Sequence, residues 1–275
     1  SPEAAAAAAL STGACVNGTE GRRRRRRKVV SRGAAPCMSA ASTLRPTKRR
    51  APSPRRVSPT SVNGSGDEKD ASRHRRQERT AKPIHDMLRW FASTQIRNVA
   101  CLGGNLVTAS PISDMNPMLC SLGATLVLAS RPKSDGGIVR RKVNVSDFFI
   151  GYRTVEKEDM EVIERVDIPL LQDRFEYCIP FKQARRREDD ISIVTSGMRI
   201  KLRPAVTNGG DSHYWEIEDV SIAFGGMAPK TVMARKTMDA LIGQPFESAS
   251  FENARKVLQD EFQMPDDVPG GQAKY

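Results

Sequence analysis

Side chains able to do chemistry are densest between Cys101 and Pro117. Gly103 and Gly104 remove two Cβ atoms in succession, which lets backbone come within contact distance of something planar or charged. Asn105, Thr108, Ser110, Ser113 and Asp114 then offer amide, hydroxyl and carboxylate groups at short intervals. The set reads as a binding loop or, on local chemistry alone, as a structural loop-to-helix corner. Asp114 stands where its carboxylate would N-cap a short helix running through Pro117 towards Cys120. A second charged group, Lys182, ends the apolar stretch from Phe175, and Arg185-Arg186-Arg187-Glu188-Asp189-Asp190 follows it. A lysine at a strand end is ordinarily solvated. The reversal of sign over the next six residues could hold a loop in one shape, but exposed pairs contribute under about 1 kcal/mol each, so the loop is expected to be mobile.

The elements that must carry these groups follow from periodicity. Pro83 to Ile96 has helical spacing, with Ile84, Met87, Leu88, Phe91 and Ile96 apolar and proline at a permissible first turn. Ala124 to Ala129 is a compact apolar run with β-branched members, a buried strand, and Ile138 to Val145 alternates apolar and basic residues across a Ser134–Gly137 turn, so the two form a hairpin. Met160 to Ile168 alternates until Pro169 ends it, and Phe175 to Gln183 is a further strand. Longer strands over Ile191–Leu202 and Tyr214–Phe224, joined by the polar loop Thr207–Ser212, precede helical spacing over Val232–Leu241 and Ser250–Phe262. Strands followed by helices predict a separate α+β subdomain. Phe91 and Ile163 read as an ordinary core aromatic and an ordinary strand residue.

Charge is divided unevenly. The chain has 44 Lys+Arg and 32 Asp+Glu; residues 1–80 hold 19 and 6 of them, a balance of +13, which leaves 25 against 26 for the rest. The basic excess therefore belongs to a tail, and the remainder gives no hint of a nucleic-acid surface. That tail runs from an alanine series (Ala4–Ala9) through Arg22–Lys28 to Ser/Pro/Arg repeats, too poor in apolar groups to offset the ordering entropy of about 1–2 kcal/mol per residue. Residues 1–82 are expected to be disordered. Arg22–Lys28 reads as solvated chain, a nuclear address or a phosphate-binding run, and the Ala, Ser and Arg content also suits an organelle transit peptide. No apolar stretch approaches the roughly 20 residues of a membrane span. Cys15, Cys37, Cys101, Cys120 and Cys178 fit neither a cluster cassette nor a disulfide framework, which points to reduced thiols in a cytosol-like compartment. His74, His85 and His213 are too scattered for a zinc site.

Three signatures, in order, resemble a known family: Gly103-Gly104-Asn105 with Thr108 to Asp114 and Asn116-Pro117; Phe148-Phe149-Ile150-Gly151-Tyr152-Arg153; and Phe181-Lys182-Gln183-Ala184 with the Arg185–Ile191 loop. Together they resemble the FAD-binding domain of the molybdenum hydroxylases, from about Leu88 to Tyr275. The resemblance implies an α+β chain: the C-terminal half of a flavin-binding α/β domain (83–172) followed by an α+β flavoprotein C-terminal subdomain (173–275). It implies that Phe91, Cys101, Leu102, Gly103, Gly104, Asn105, Thr108, Asp114, Ile163 and Lys182 line the FAD, with Lys182 stabilising negative charge on the reduced ring. No separate catalytic residue and no metal ligand is implied. The Arg186–Asp190 sequence is similar to the xanthine dehydrogenase branch rather than aldehyde oxidase. By the same resemblance, the complete enzyme would carry 2Fe-2S clusters and molybdopterin in other domains, pass electrons through FAD to NAD, form a homodimer, act in purine catabolism, and reside in the cytoplasm, with the peroxisome as second option. Nothing in residues 1–82 resembles the family's glycine-containing pyrophosphate loop, so a partial protein or misjoined gene product is expected. The rival readings are a catalytically silent fragment whose basic tail binds nucleic acid and an aldehyde oxidase-like flavin domain.

Overall fold

The computed structural model describes residues 66–131, 137–206 and 213–268. Most of the expected tail, the Ser134–Gly136 part of the predicted turn and the Thr207–Ser212 loop lie outside them. The described part opens on α1 (Gly66–Arg89), so residues 66–82, assigned by composition to the tail, are helical. Composition failed there because the first turns carry almost no apolar face. The middle of the helix is held instead by bonds to a distant segment: Thr80 Oγ1 accepts from Leu171 N–H (2.9 Å), Arg79 donates to Leu171 O (3.3 Å), and Arg76 donates to Gln172 Oε1 (3.0 Å). Pro83 is thus not in a first turn but deep in the helix, where it has no N–H to give the carbonyl of Arg79. The single helix expected over 83–96 is broken: Ala92 takes φ +43°, and α2 (Thr94–Val99) follows. Arg97 fixes that corner by donating to the carbonyls of Phe91 and Ala92, each at 2.7 Å.

The glycine stretch is not a loop. It forms α3 (Leu102–Thr108), which Ala109 ends in the left-handed region at φ +46°. Next comes α4 (Met115–Ser121), every residue of which is buried. The predicted N-cap is corrected here: Asp114 has helical backbone and makes no capping bond, because its carboxylate is spent on tertiary partners.

Two sheets flank α4. β1 (Thr125–Ser130) is the middle strand of the first, pairing antiparallel with β2 (Val139–Asn144) and with β5 (Val162–Asp167). Leu126 and Leu128 of β1 point into a core shared with Met87, Leu106, Leu119 and Phe148. Between β2 and β5 the chain makes α5 (Val145–Phe148) and the two-stranded ribbon of β3 (Phe149–Gly151) with β4 (Thr154–Val155). The second sheet has the order β6-β7-β8-β9, all antiparallel, formed by β6 (Glu176–Ala184), β7 (Ser192–Val206), β8 (His213–Gly225) and β9 (Val232–Met233). α6 (Arg235–Leu241) and α7 (Ser248–Glu261) cover it. The helix expected from Val232 therefore starts three residues late, since Val232 and Met233 pair with Phe224 and Ala223.

Glycines set how α4 meets the second sheet. A Cβ on Gly197 would lie 2.6 Å from Pro117 O and 2.8 Å from Met118 Cα, and one on Gly225 would lie 2.8 Å from Pro111 O. Only bare backbone admits the helix this close.

Candidate functional site

The β6–β7 hairpin brings Lys182 beneath the start of α4. Its Nζ donates to Asp114 Oδ2 (2.7 Å) and to the carbonyl of Trp90 (2.8 Å), and the two charged side chains are 10% and 6% exposed. The other carboxylate oxygen, Asp114 Oδ1, accepts from Ser192 Oγ at 2.5 Å. Burial of a lone carboxylate or ammonium would be prohibitive, so each makes the other tenable. Next to Asp114, Ser113 Oγ donates to Asn105 Oδ1 (2.8 Å) and accepts, at 3.4 Å, from Asn116 N–H. Two bonded groups thus meet at adjacent residues: Asn105 of α3 with Ser113, and Asp114 with Lys182 of β6.

A second group gathers around the glycine pair. A Cβ on Gly103 would be 3.8 Å from Cys101 Sγ and 4.0 Å from Ile163 Cβ, so α3 rests against β5 at Ile163. Cys101, Leu102, Gly104 and Thr108 are exposed, while Gly103, Asn105 and Ile163 are half-buried. Neither Gly103 nor Gly104 has positive φ, and a Cβ on either would meet only ordinary contacts within the chain. Neither backbone strain nor internal packing calls for glycine here, in contrast to Gly197, Gly225 and Gly226. What the missing Cβ atoms provide is a bare outward face on α3.

Thr108 spends its hydroxyl on Gly104 O (2.8 Å), within α3. Phe91 is half-buried one residue after the carbonyl that holds Lys182. A cleft of about 550 Å³ lies between α1 and β6, lined among others by Trp90, Phe181, Lys182 and Arg187. None of Cys101 to Asn105 is among its lining residues. In the following loop, Arg186 N–H donates to Asp190 Oδ2 (2.7 Å) and the Arg186 guanidinium to Asp189 O (2.9 Å). The reversal of charge sign does close on itself. The Arg186 N–H first, and then the Ile191 N–H and the Arg186 charge, hold the Asp190 carboxyl below the ordinary carboxylate range.

Sequence reasoning did not single out Ser192 or the Trp90 carbonyl. Ser192 stands 78 residues from Asp114 with no local pattern to mark it, and a backbone carbonyl carries no sequence signal at all.

Residues 66–171 match the family described as the FAD binding domain in molybdopterin dehydrogenase, and residues 180–275 match the CO dehydrogenase flavoprotein C-terminal domain. Xanthine dehydrogenase 1 of Arabidopsis thaliana is 41% identical over 70% of this chain, and a nicotinate hydroxylase of Emericella nidulans is 40% identical over 72%. The chain spans 13% and 14% of the length of those relatives. In fold it is similar to the carbon monoxide dehydrogenase of Hydrogenophaga pseudoflava (TM-score 0.58, 21% identity, 72% of this chain and 62% of that one). It is likewise similar to quinoline 2-oxidoreductase of Pseudomonas putida 86 (TM-score 0.55, 22% identity, 71% of this chain and 65% of that one). With both sequence signatures in order and the same fold beneath them, the chain belongs to the FAD-binding flavoprotein domains of the molybdopterin dehydrogenases.

Proposed function

We propose that the face built by Cys101, Leu102, Gly103, Gly104, Asn105, Thr108 and Asp114, with Phe91, Ile163 and Lys182 beside it, holds FAD. The observation that supports the reading is the adjacent pair Ser113 and Asp114, the first bonded to Asn105 and the second to Lys182, which brings residues of the two signatures close together. The residues suit the group. The glycine face leaves room for a planar ring to lie against backbone and Ile163, and Asn105 and Asp114 offer polar edges. Lys182 has three N–H donors, of which Asp114 and Trp90 O take two, so one is left to meet the ring. FAD would supply the redox chemistry, taking electrons from 2Fe-2S clusters and passing hydride to NAD. This chain's part is to orient the ring and set the charge around it.

The larger setting is a xanthine dehydrogenase-like molybdenum enzyme, dimeric and cytoplasmic, in which other domains carry molybdopterin, the clusters and the substrate pocket. The presence of a nicotinate hydroxylase beside purine enzymes among the relatives fits that division, because substrate choice would belong to a different domain. Within the chain, a division near residue 172 separates the flavin-facing half from the C-terminal subdomain.

The test is reconstitution. Purified chain titrated with FAD should turn yellow, and bound FAD should shield Cys101 from maleimide labelling mapped by mass spectrometry. Lys182→Met and Gly104→Val should weaken binding by about tenfold or more, the scale of one charged hydrogen bond or one blocked contact face. A wild-type chain that stays colourless with Cys101 fully labelled would overturn the reading.

A further inference from the structure

Ser192 sits where the second sheet departs from regular pairing. Lys182 pairs with Thr195 and Gln183 with Val194, but Ala184 pairs with Ser192, so the register slips by one residue at the mouth of the β6–β7 hairpin. In a regular ladder Ala184 would face Ile193, and Ser192 would point to the opposite side of the sheet from Lys182. The bulge reverses this, since residues paired across strands share a face. Ser192 then joins Lys182 and Thr195 on the side of the sheet facing α4: Thr195 Oγ1 donates to Ser113 O (3.2 Å), and Ser192 Oγ donates to Asp114 Oδ1 (2.5 Å). Ser192 is 5% exposed although the two residues before it belong to a solvated loop, Ile191 being 71% exposed.

We propose that Ser192 is a positioning residue of the flavin site, held by the bulge so that it fixes the Asp114 carboxylate and thereby both aims Lys182 and anchors the Arg185–Ile191 loop. Resting on the flavin reading above, the inference adds a coupling that reading does not contain. Asp114 has two carboxylate oxygens, one held by Lys182 and one by Ser192. With Ser192 in place, the carboxylate cannot rotate away from the ammonium, and Lys182 stays partly neutralised. Without the hydroxyl, Asp114 Oδ1 is a buried acceptor lacking its partner, the carboxylate is free to turn away from the ammonium, and more of the lysine's positive charge acts on whatever lies above it. The same hydroxyl closes the base of the loop whose other internal ties, Arg186 to Asp189 and Asp190, are exposed.

Ser192→Ala and Ser192→Thr in the full chain test this with two readouts. In the first, limited trypsinolysis without flavin, Ser192→Ala should speed cleavage at Arg185–Arg187 by about tenfold, the worth of one hydrogen bond to a charged group, with cleavage at Arg174 and Arg255 unchanged. Ser192→Thr, which keeps the hydroxyl, should cut at close to the wild-type rate. In the second, the midpoint potential of bound FAD should move to more positive values in Ser192→Ala and return in Ser192→Thr, because a less neutralised Lys182 favours the reduced, negatively charged ring. Cleavage that speeds equally at all sites would assign Ser192 a merely structural role and overturn the proposal. So would unchanged loop cleavage, or a threonine variant as impaired as alanine. A chain that takes up no FAD sinks the flavin reading, and the trypsin arm then decides on Ser192 alone.

Discussion

At Gly104 a Cβ would come no closer than 3.9 Å to Cys101 Cβ, and α3 has ordinary helical backbone there. Alanine should therefore stabilise the helix by about 1 kcal/mol, because it lowers the entropy cost of ordering the backbone. The expected outcome for Gly104→Ala is a higher melting temperature with weaker FAD binding, read by thermal unfolding and by flavin titration on the same sample. A fold-bearing glycine would give the opposite sign in the melt. Thiol chemistry separates residues on the same principle of surroundings over type. Burial pushes the thiols of Cys120 and Cys178 up to about 12, with Asp147 adding to the first and Ser121 and Arg199 opposing the second. Cys101 is exposed. At pH 8, mass-mapped maleimide labelling should mark Cys101 within minutes and leave Cys120 and Cys178 unmarked until the chain is unfolded.

Among the elements, the three-stranded sheet shows how a strand that looks half-exposed in sequence is held. β2 and β5 flank β1 with a ladder of ion pairs: Arg140 lies bidentate on Glu164, and Arg141 donates to Glu161 through Nε (2.6 Å) and Nη2 (2.8 Å). Glu161 is buried, and its carboxyl is held below the ordinary range first by Arg141, against the opposing effect of burial, and then by the Glu158 N–H. A folded-state value below the unfolded one means a contribution present in full above the unfolded carboxylate range, about pH 4.3, and lost as pH falls through the folded value. Glu161→Gln should cost about 1–3 kcal/mol at pH 7 and progressively less as the pH falls below about 4, so the two melting curves converge on acidification. Parallel curves would mean that packing, not charge, makes the difference.

Over the whole molecule, α4 is the member that both halves share. Met115, Leu119 and Cys120 enter the core under β1, Met118 and Leu122 pack with Leu171, and the C-terminal end is held where Arg199 Nε donates to Ser121 O (3.1 Å). Arg199 also bridges Glu176 (2.8 Å) and Asp219 (2.6 Å); burial by itself would lower its pKa, and the two carboxylates outweigh it, so the guanidinium stays charged. Gly197→Ala would put a methyl group into the backbone of α4 and should cost about 1–3 kcal/mol. Because α4 also lines the first core, the loss should reach both halves, and urea unfolding followed by Trp90 and Trp215 fluorescence and by circular dichroism should shift as one transition. Two separated transitions would show that the halves do not depend on α4.

The polar residues proposed for the site stand out in the chain because their types are unusual together: two glycines, then amide, hydroxyl and carboxylate groups, and later a lysine before a loop whose charge reverses; Phe91 and Ile163 were named only by the resemblance. The strands were legible because alternation and apolar runs are local properties of the polymer. Folding alone settled three things. It made a helix of the glycine stretch, took Asp114 away from its expected cap to pair with Lys182, and extended α1 back to Gly66 over residues that look like tail. Each depends on partners 68 to 96 positions away, Lys182 for Asp114 and Leu171 and Gln172 for α1, or on backbone atoms that every residue has. Periodicity reports which face of a segment is apolar; it does not report which distant polar group will be waiting when that face is buried.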